Sequence, residues 1–226
     1  MVSGLENSVI KVAAIGGSIR KASYSNGLIR AAIELSKESI AGMEIEHLDI
    51  SQLPMQNIDL EGEDHEGSFP PAVEDLRQKI LESDCILFSS PEFNYSVSVK
   101  GFYHHSHEFQ ILHIYSLLDD NIPAPLKNAI DWASRPPNVW ADKAAAIISA
   151  SAGMGGARGQ LHLRQIGVFI DLHFINKPEF FLNVFQPPAK FDSQGNLIDE
   201  NTKERLKEVL LALQAFTWRL KTATNA

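Results

Sequence analysis

Ser18, Ser23, Ser25, Asn26 and Arg20 crowd one short turn, Gly16-Gly17-Ser18-Ile19-Arg20-Lys21-Ala22-Ser23-Tyr24-Ser25-Asn26, and together they could hold an anion. The serines and the asparagine offer neutral donors, and Arg20 offers a fork-shaped cation suited to phosphate. Gly16 and Gly17 let the chain turn sharply. The apolar run at 12–15 reads as a strand, and the pattern at 27–36 as a helix whose free N–H groups and positive dipole end face the same guest. One terminal phosphate fits best, because the turn lacks both the lysine of the Gly-x-x-x-x-Gly-Lys-Ser/Thr loop and the glycine spacing of the dinucleotide fingerprint. Read alone, the same turn is equally accounted for by capping and turn chemistry.

Two further segments sit just after apolar runs. Ser89-Ser90-Pro91-Glu92-Phe93-Asn94-Tyr95-Ser96 follows the run at 85–89 and sets two aromatic rings beside an amide. Such a loop could lay backbone amides along the edge of a planar heterocycle while its rings cover a face; a proline turn with two partly buried aromatics is the duller account. Ser149-Ala150-Ser151-Ala152-Gly153-Met154-Gly155-Gly156-Ala157-Arg158 follows the run at 144–149, and its three glycines permit close approach to a flat ligand or simply make a mobile loop.

Strand and helix periods alternate along the chain, the sign of a parallel sheet covered on both faces. After the first strand and helix, 44–48 reads as a strand and 49–71 as a long loop whose acidic residues Glu61, Glu63 and Asp64 are expected in solvent. A helix is predicted at 72–83, a central strand at 85–89, a helix opening at 124–132, a strand at 144–149, a helix at 161–172, a last strand at 179–183 and an amphipathic helix at 201–220. The order predicts an α/β, flavodoxin-like, doubly wound parallel sheet of about five strands, with its ligand at the carboxyl ends of the strands.

The 226 residues are 44% hydrophobic and 21% charged, enough for one substantial core, and one domain over 1–226 is expected. A net charge of -8 with scattered lysines and arginines disfavours nucleic acid. The single cysteine, Cys85, reads as a core thiol in a cytoplasmic protein. No apolar run approaches the roughly 20 residues needed to cross a bilayer. A serine hydrolase is excluded for want of a Gly-x-Ser-x-Gly elbow after any predicted strand.

Over nearly its whole length the chain resembles the NADPH-dependent FMN reductases, and within them the plant-type NAD(P)H:quinone oxidoreductases. The likeness runs through Gly17-Ser18-Ile19-Arg20, Pro91 to Ser96, Pro125-Leu126-Lys127-Asn128-Ala129-Ile130-Asp131-Trp132, the Gly153 to Arg158 loop and His173-Phe174-Ile175-Asn176. It implies non-covalent FMN, NADPH or NADH as co-substrate, and a quinone or similar flat acceptor. It also implies Ser18, Arg20, Ser25 and Asn26 at the FMN phosphate, Pro91, Glu92, Phe93, Asn94 and Tyr95 along the ring edge, and Ser151 and Gly153 on the other side. No acid–base residue is named, because the cofactor carries the hydride chemistry. A homodimer or homotetramer is implied, with the helix opening at 124–132 near the interface. The alternative is an FMN-binding electron carrier or catalytically silent flavoprotein.

The family pattern runs almost directly from Ser98 to Ala124, so 99–123 is an insertion beside the flavin. It holds His104, His105, His107 and His113 at a spacing that matches no defined zinc motif, and no metal site is expected. It is read as a lid or as an unspliced segment translated in frame.

Overall fold

Residues that are apolar toward both sides make strands buried on both faces, and this is why the chain builds a parallel sheet. In the computed structural model, which describes residues 9–62, 68–92 and 122–224, every residue of the central strand Cys85–Ser90 is buried. The elements run β1 (Ile10–Gly16), α1 (Tyr24–Ser39), β2 (Met43–Leu48), a 3-10 turn (Ile58–Leu60), α2 (Pro71–Glu82), β3 (Cys85–Ser90), α3 (Ala124–Ser134), β4 (Lys143–Ser151), α4 (Ala157–Phe169), β5 (Leu172–Phe174), β6 (Phe180–Asn183) and α5 (Glu200–Thr224).

The order β2-β1-β3-β4-β5 is parallel throughout, with Val12 opposite Cys85 and Cys85 opposite Ala144. The fifth position is shared: β5 pairs with the start of β4, through Lys143 to Ala145, and β6 pairs in parallel with its end, through Ile148 to Ser151. Strand alternation sorts the core into two layers. Val12, Ala14, Cys85 and Leu87 face α1 and α5, meeting Leu28, Ile29, Leu206 and Leu210. Ala13, Ile15, Ile86 and Phe88 face α2, α3 and α4, meeting Leu76, Leu126, Ile130 and Leu163.

The expected flavodoxin-like sheet is therefore present, with three corrections. The helix predicted at 161–172 begins at Ala157 and ends at Phe169, because Gly156 in the left-handed region starts it early and Asp171, with φ of 62°, turns the chain out of it. Leu172, assigned to that helix, opens β5, a strand of 3 residues too short to show a period. Glu61, expected in solvent, is buried: Arg135 donates to it through Nε at 2.6 Å and Nη2 at 2.8 Å. Glu63 and Asp64 lie outside the described residues, as do 99–121 with the four histidines. Among the described residues no helix is long and apolar enough to cross a membrane, and no group of three potential ligands could hold a metal.

Arg77 locks the layer of α2 to α3. It is buried, and it donates to the carbonyls of Trp132 (3.0 Å), Ala133 (3.3 Å), Arg135 (2.9 Å) and Pro137 (2.9 Å), the last acceptors of α3 and the turn beyond. The Phe69 ring covers its other face at 4.2 Å. Trp132 and Trp140 are wholly buried, with their indole N–H groups donated to Pro54 and Ile130 carbonyls, so both serve packing inside the chain.

Arg77→Met is expected to destabilise the fold by about 2–4 kcal/mol, read from the urea midpoint, because four inward carbonyls lose their donor. Burial pushes the Cys85 thiol up to about 12. The unfolded thiol ionises near 8.5, so the unfolded chain loses this proton first and stability falls as pH rises from about 9 toward 12. Cys85→Ala should remove up to about 1.4 kcal/mol per pH unit of that alkaline slope in parallel urea titrations.

Candidate functional site

The connections leaving β1 and β3 part in opposite directions, since β2 lies beside β1 on one side and β4 lies beside β3 on the other. That reversal opens a crevice at the carboxyl ends of the strands. Its floor is tied across the two strands: Gly17 N–H donates to the Ser89 carbonyl at 2.8 Å, and Ser89 Oγ donates to the Ser25 carbonyl at 2.9 Å. A Cβ at Gly17 would stand 2.8 Å from Pro91 Cδ and 3.0 Å from Pro123 Cγ, so only glycine lets the first loop run between the second loop and the start of α3.

Three helices start near this edge, and the chain treats them differently. At α1 there is no acidic residue in the first turn, and Ser23 caps it by accepting from Asn26 N–H at 3.2 Å. Among the described residues the buried Ser25 Oγ has no hydrogen-bond partner, and helix geometry leaves the first N–H groups without intrahelical acceptors. At α4 the chain supplies its own anion: the buried Glu92 carboxylate accepts from Gly159 N–H at 3.2 Å, in that helix's first turn. The Pro123-Ala124-Pro125 start of α3 lacks a Pro125 N–H altogether. An external anion thus meets free donors and no opposing carboxylate at α1 alone among these three starts.

The structure brings most of the sequence-predicted residues together and refines their parts. Ser18 is half-buried and Arg20 exposed, with Arg20 N–H donating to Ser18 Oγ at 3.3 Å. Asn26 gives both amide hydrogens to the loop, donating to the Ser18 and Arg20 carbonyls at 3.1 Å each, while its buried Oδ1 meets no donor among the described residues. Its side chain therefore shapes the loop, and it has no hydrogen left for an anion. Pro91 and Glu92 are buried at the end of β3, and Ser151 Oγ donates to the Glu92 carbonyl, joining the second loop to the third. Gly153 is exposed, and Asn183 donates to its carbonyl at 2.8 Å. Phe93, Asn94 and Tyr95 lie outside the described residues.

Residues that went unremarked in the sequence support these loops from beneath. Ser149 Oγ donates to the Gly155 carbonyl at 2.6 Å and accepts from Gln160 Nε2 at 2.8 Å, which also reaches the Phe180 carbonyl. The signal available was a serine at the end of an apolar strand. Of the isolated histidines, His173 pairs with Asp142 at 3.0 Å on the surface.

The profile described as NADPH-dependent FMN reductase matches residues 10–99 and 118–186. The chain is 61% identical over 213 residues to an Arabidopsis thaliana protein described as NADPH:quinone oxidoreductase, with 94% of each chain covered. It is 59% identical to an NAD(P)H:quinone oxidoreductase of Solanum tuberosum, covering 94% of this chain and 95% of that one. Among solved structures it is similar to FerB, a flavoenzyme NAD(P)H:(acceptor) oxidoreductase from Paracoccus denitrificans. That match has a TM-score of 0.68 and 28% identity, over 95% of this chain and 98% of that chain.

The third loop's glycines should differ sharply in cost. Gly156 has φ of 91° and a Cβ there would stand 2.6 Å from Ser149 Cβ, whereas Gly153, with φ of 52°, faces open space. Gly153→Ala should therefore cost about 1–2 kcal/mol, and Gly156→Ala clearly more, as ranked by thermal melting.

Proposed function

The chain belongs to the NADPH-dependent FMN reductase family, and we propose that it is an FMN-dependent NAD(P)H:quinone oxidoreductase. It takes a hydride from NADPH or NADH and passes two electrons to a quinone. The start of α1 supports FMN in the crevice: a buried, unpartnered Ser25 hydroxyl and open first-turn donors, with no carboxylate beside them, suit a phosphate monoester. FMN supplies, when bound, a carrier that accepts a hydride and releases two electrons.

The protein's own residues bind and orient. Ser18, Ser25 and the Arg20 guanidinium take the phosphate, with Asn26 fixing the loop that presents them. Pro91 and Glu92 would line one edge of the ring, and Ser151 and Gly153 would approach from the other side. The Glu92 charge is directed to α4, where Gly159 N–H takes it, and so does not oppose the phosphate. No side chain is needed as acid or base. Donor and quinone use one open face in turn.

The working form is a homodimer or homotetramer. On α4, Leu161, Val168 and Phe169 are exposed beside a groove of about 480 Å³ between α3 and α4, whose lining includes Ile130 and Ile166. An apolar patch of this kind fits burial against a second copy. The proposal places the enzyme in the cytoplasm, in keeping with a lone, buried thiol.

Purified protein is expected to be yellow, to bleach with NADPH and to recover its colour with a small benzoquinone, sedimenting above monomer mass. Colourless protein that takes up no added FMN would overturn the reading, and bleaching without recovery would favour an electron carrier over a quinone reductase. Ser25→Ala should weaken FMN binding about tenfold, measured by quenching of flavin fluorescence, through loss of one hydrogen bond to a charged group.

A further inference from the structure

The phosphate loop leans on a distant part of the chain through Arg30, which reaches Gly195, 165 residues away in sequence. The Arg30 guanidinium, in the second turn of α1, donates through Nη1 to the Lys21 carbonyl at 3.2 Å. It also donates through Nη2 to the Gly195 carbonyl at 2.9 Å and the Gln194 carbonyl at 3.4 Å, and through Nε to Asn196 Oδ1 at 3.0 Å. Arg30 therefore joins the loop to the turn at 192–196.

That turn is itself well held. Asp192 accepts from Gln194 N–H at 2.9 Å and from Asn196 N–H at 2.8 Å, and an antiparallel bridge from Phe191 to the buried Leu197 closes its base. Two glycines let it nest against the loop: a Cβ at Gly27 would lie 1.9 Å from the Gly195 carbonyl oxygen, and one at Gly195 would lie 2.5 Å from the Ala22 oxygen. Phe191 completes the contact by packing its ring 4.5 Å from that of Tyr24.

We propose that Arg30 and the turn at 192–196 form a positioning device that holds the Lys21 to Ser25 backbone in the shape that receives the FMN phosphate. This rests on the FMN reading given above. Arg30 touches neither ring nor phosphate in this assignment; it acts through the Lys21 carbonyl, and so its influence is confined to the phosphate end. Riboflavin, which lacks the phosphate, should be blind to it.

The test compares FMN and riboflavin binding to the full chain by flavin fluorescence quenching. Arg30→Met should raise the Kd for FMN about tenfold or more while leaving that for riboflavin unchanged, since a guanidinium hydrogen bonded to several carbonyls is lost. Asn196→Ala, a milder change at the surface, should shift FMN about threefold in the same selective way, and it decides the matter if Arg30→Met does not fold. Equal weakening of both flavins in the folded variants would show a merely structural arginine and overturn the proposal, as would no change in either. Wild-type protein that binds FMN no more tightly than riboflavin would instead overturn the phosphate reading itself.

Discussion

An α-helix cannot satisfy its own first N–H groups, and in this protein that deficit is answered in one place and left open in another. At α4 the Glu92 carboxylate folds in and accepts from Gly159 N–H. At α1 the Ser23 hydroxyl takes the Asn26 N–H, and the buried Ser25 hydroxyl beside it has no hydrogen-bond partner among the described residues. The parallel sheet places both helix starts at the carboxyl edge, because each helix follows a strand. Which of them can receive an outside anion is decided by where the one carboxylate goes.

Holding that open donor set in place takes contacts that do not touch it. Gly17 passes between Pro91 and Pro123 with no room for a Cβ, Ser89 ties β3 to the Ser25 carbonyl, and Ser151 ties the third loop to the second. Further out, Arg77 gathers the last carbonyls of α3 while Arg135 clasps Glu61. The buried Arg77 is matched to four carbonyls, which is the condition under which burying a cation is tolerable. The loops are therefore presented by a frame whose polar groups are spent on one another, and among the described residues the buried side-chain atoms without a partner, Ser25 Oγ and Asn26 Oδ1, lie at α1.

Much of the frame was legible in the residues. The strands 12–15, 44–48, 85–89 and 144–149 sit within observed strands, since continuous apolar runs between turn residues leave little alternative. The Gly17 to Asn26 turn displayed in its residue types the donors on which the proposed phosphate site rests. The misreadings share a scale. β5 has 3 residues, fewer than a period can mark, and the start of α4 depends on a left-handed Gly156 that no apolar repeat reveals. Glu61 was placed in solvent because an acidic run is usually solvated, and nothing local foretells the Arg135 fork that buries it.

By itself the sequence determined four of the strands, the flavodoxin-like class of the sheet and the chemistry that its first loop could offer, because periodicity and side-chain type are local properties. Tertiary structure alone decided what each group was free to do. Asn26 became a loop clamp when both its amide hydrogens found carbonyls, Glu92 became a helix cap, and Arg30 met the turn at 192–196 across the molecule. Hydrogen bonds are exclusive, so a donor's availability depends on every acceptor that folding brings within about 3 Å. That is information no stretch of the chain holds on its own.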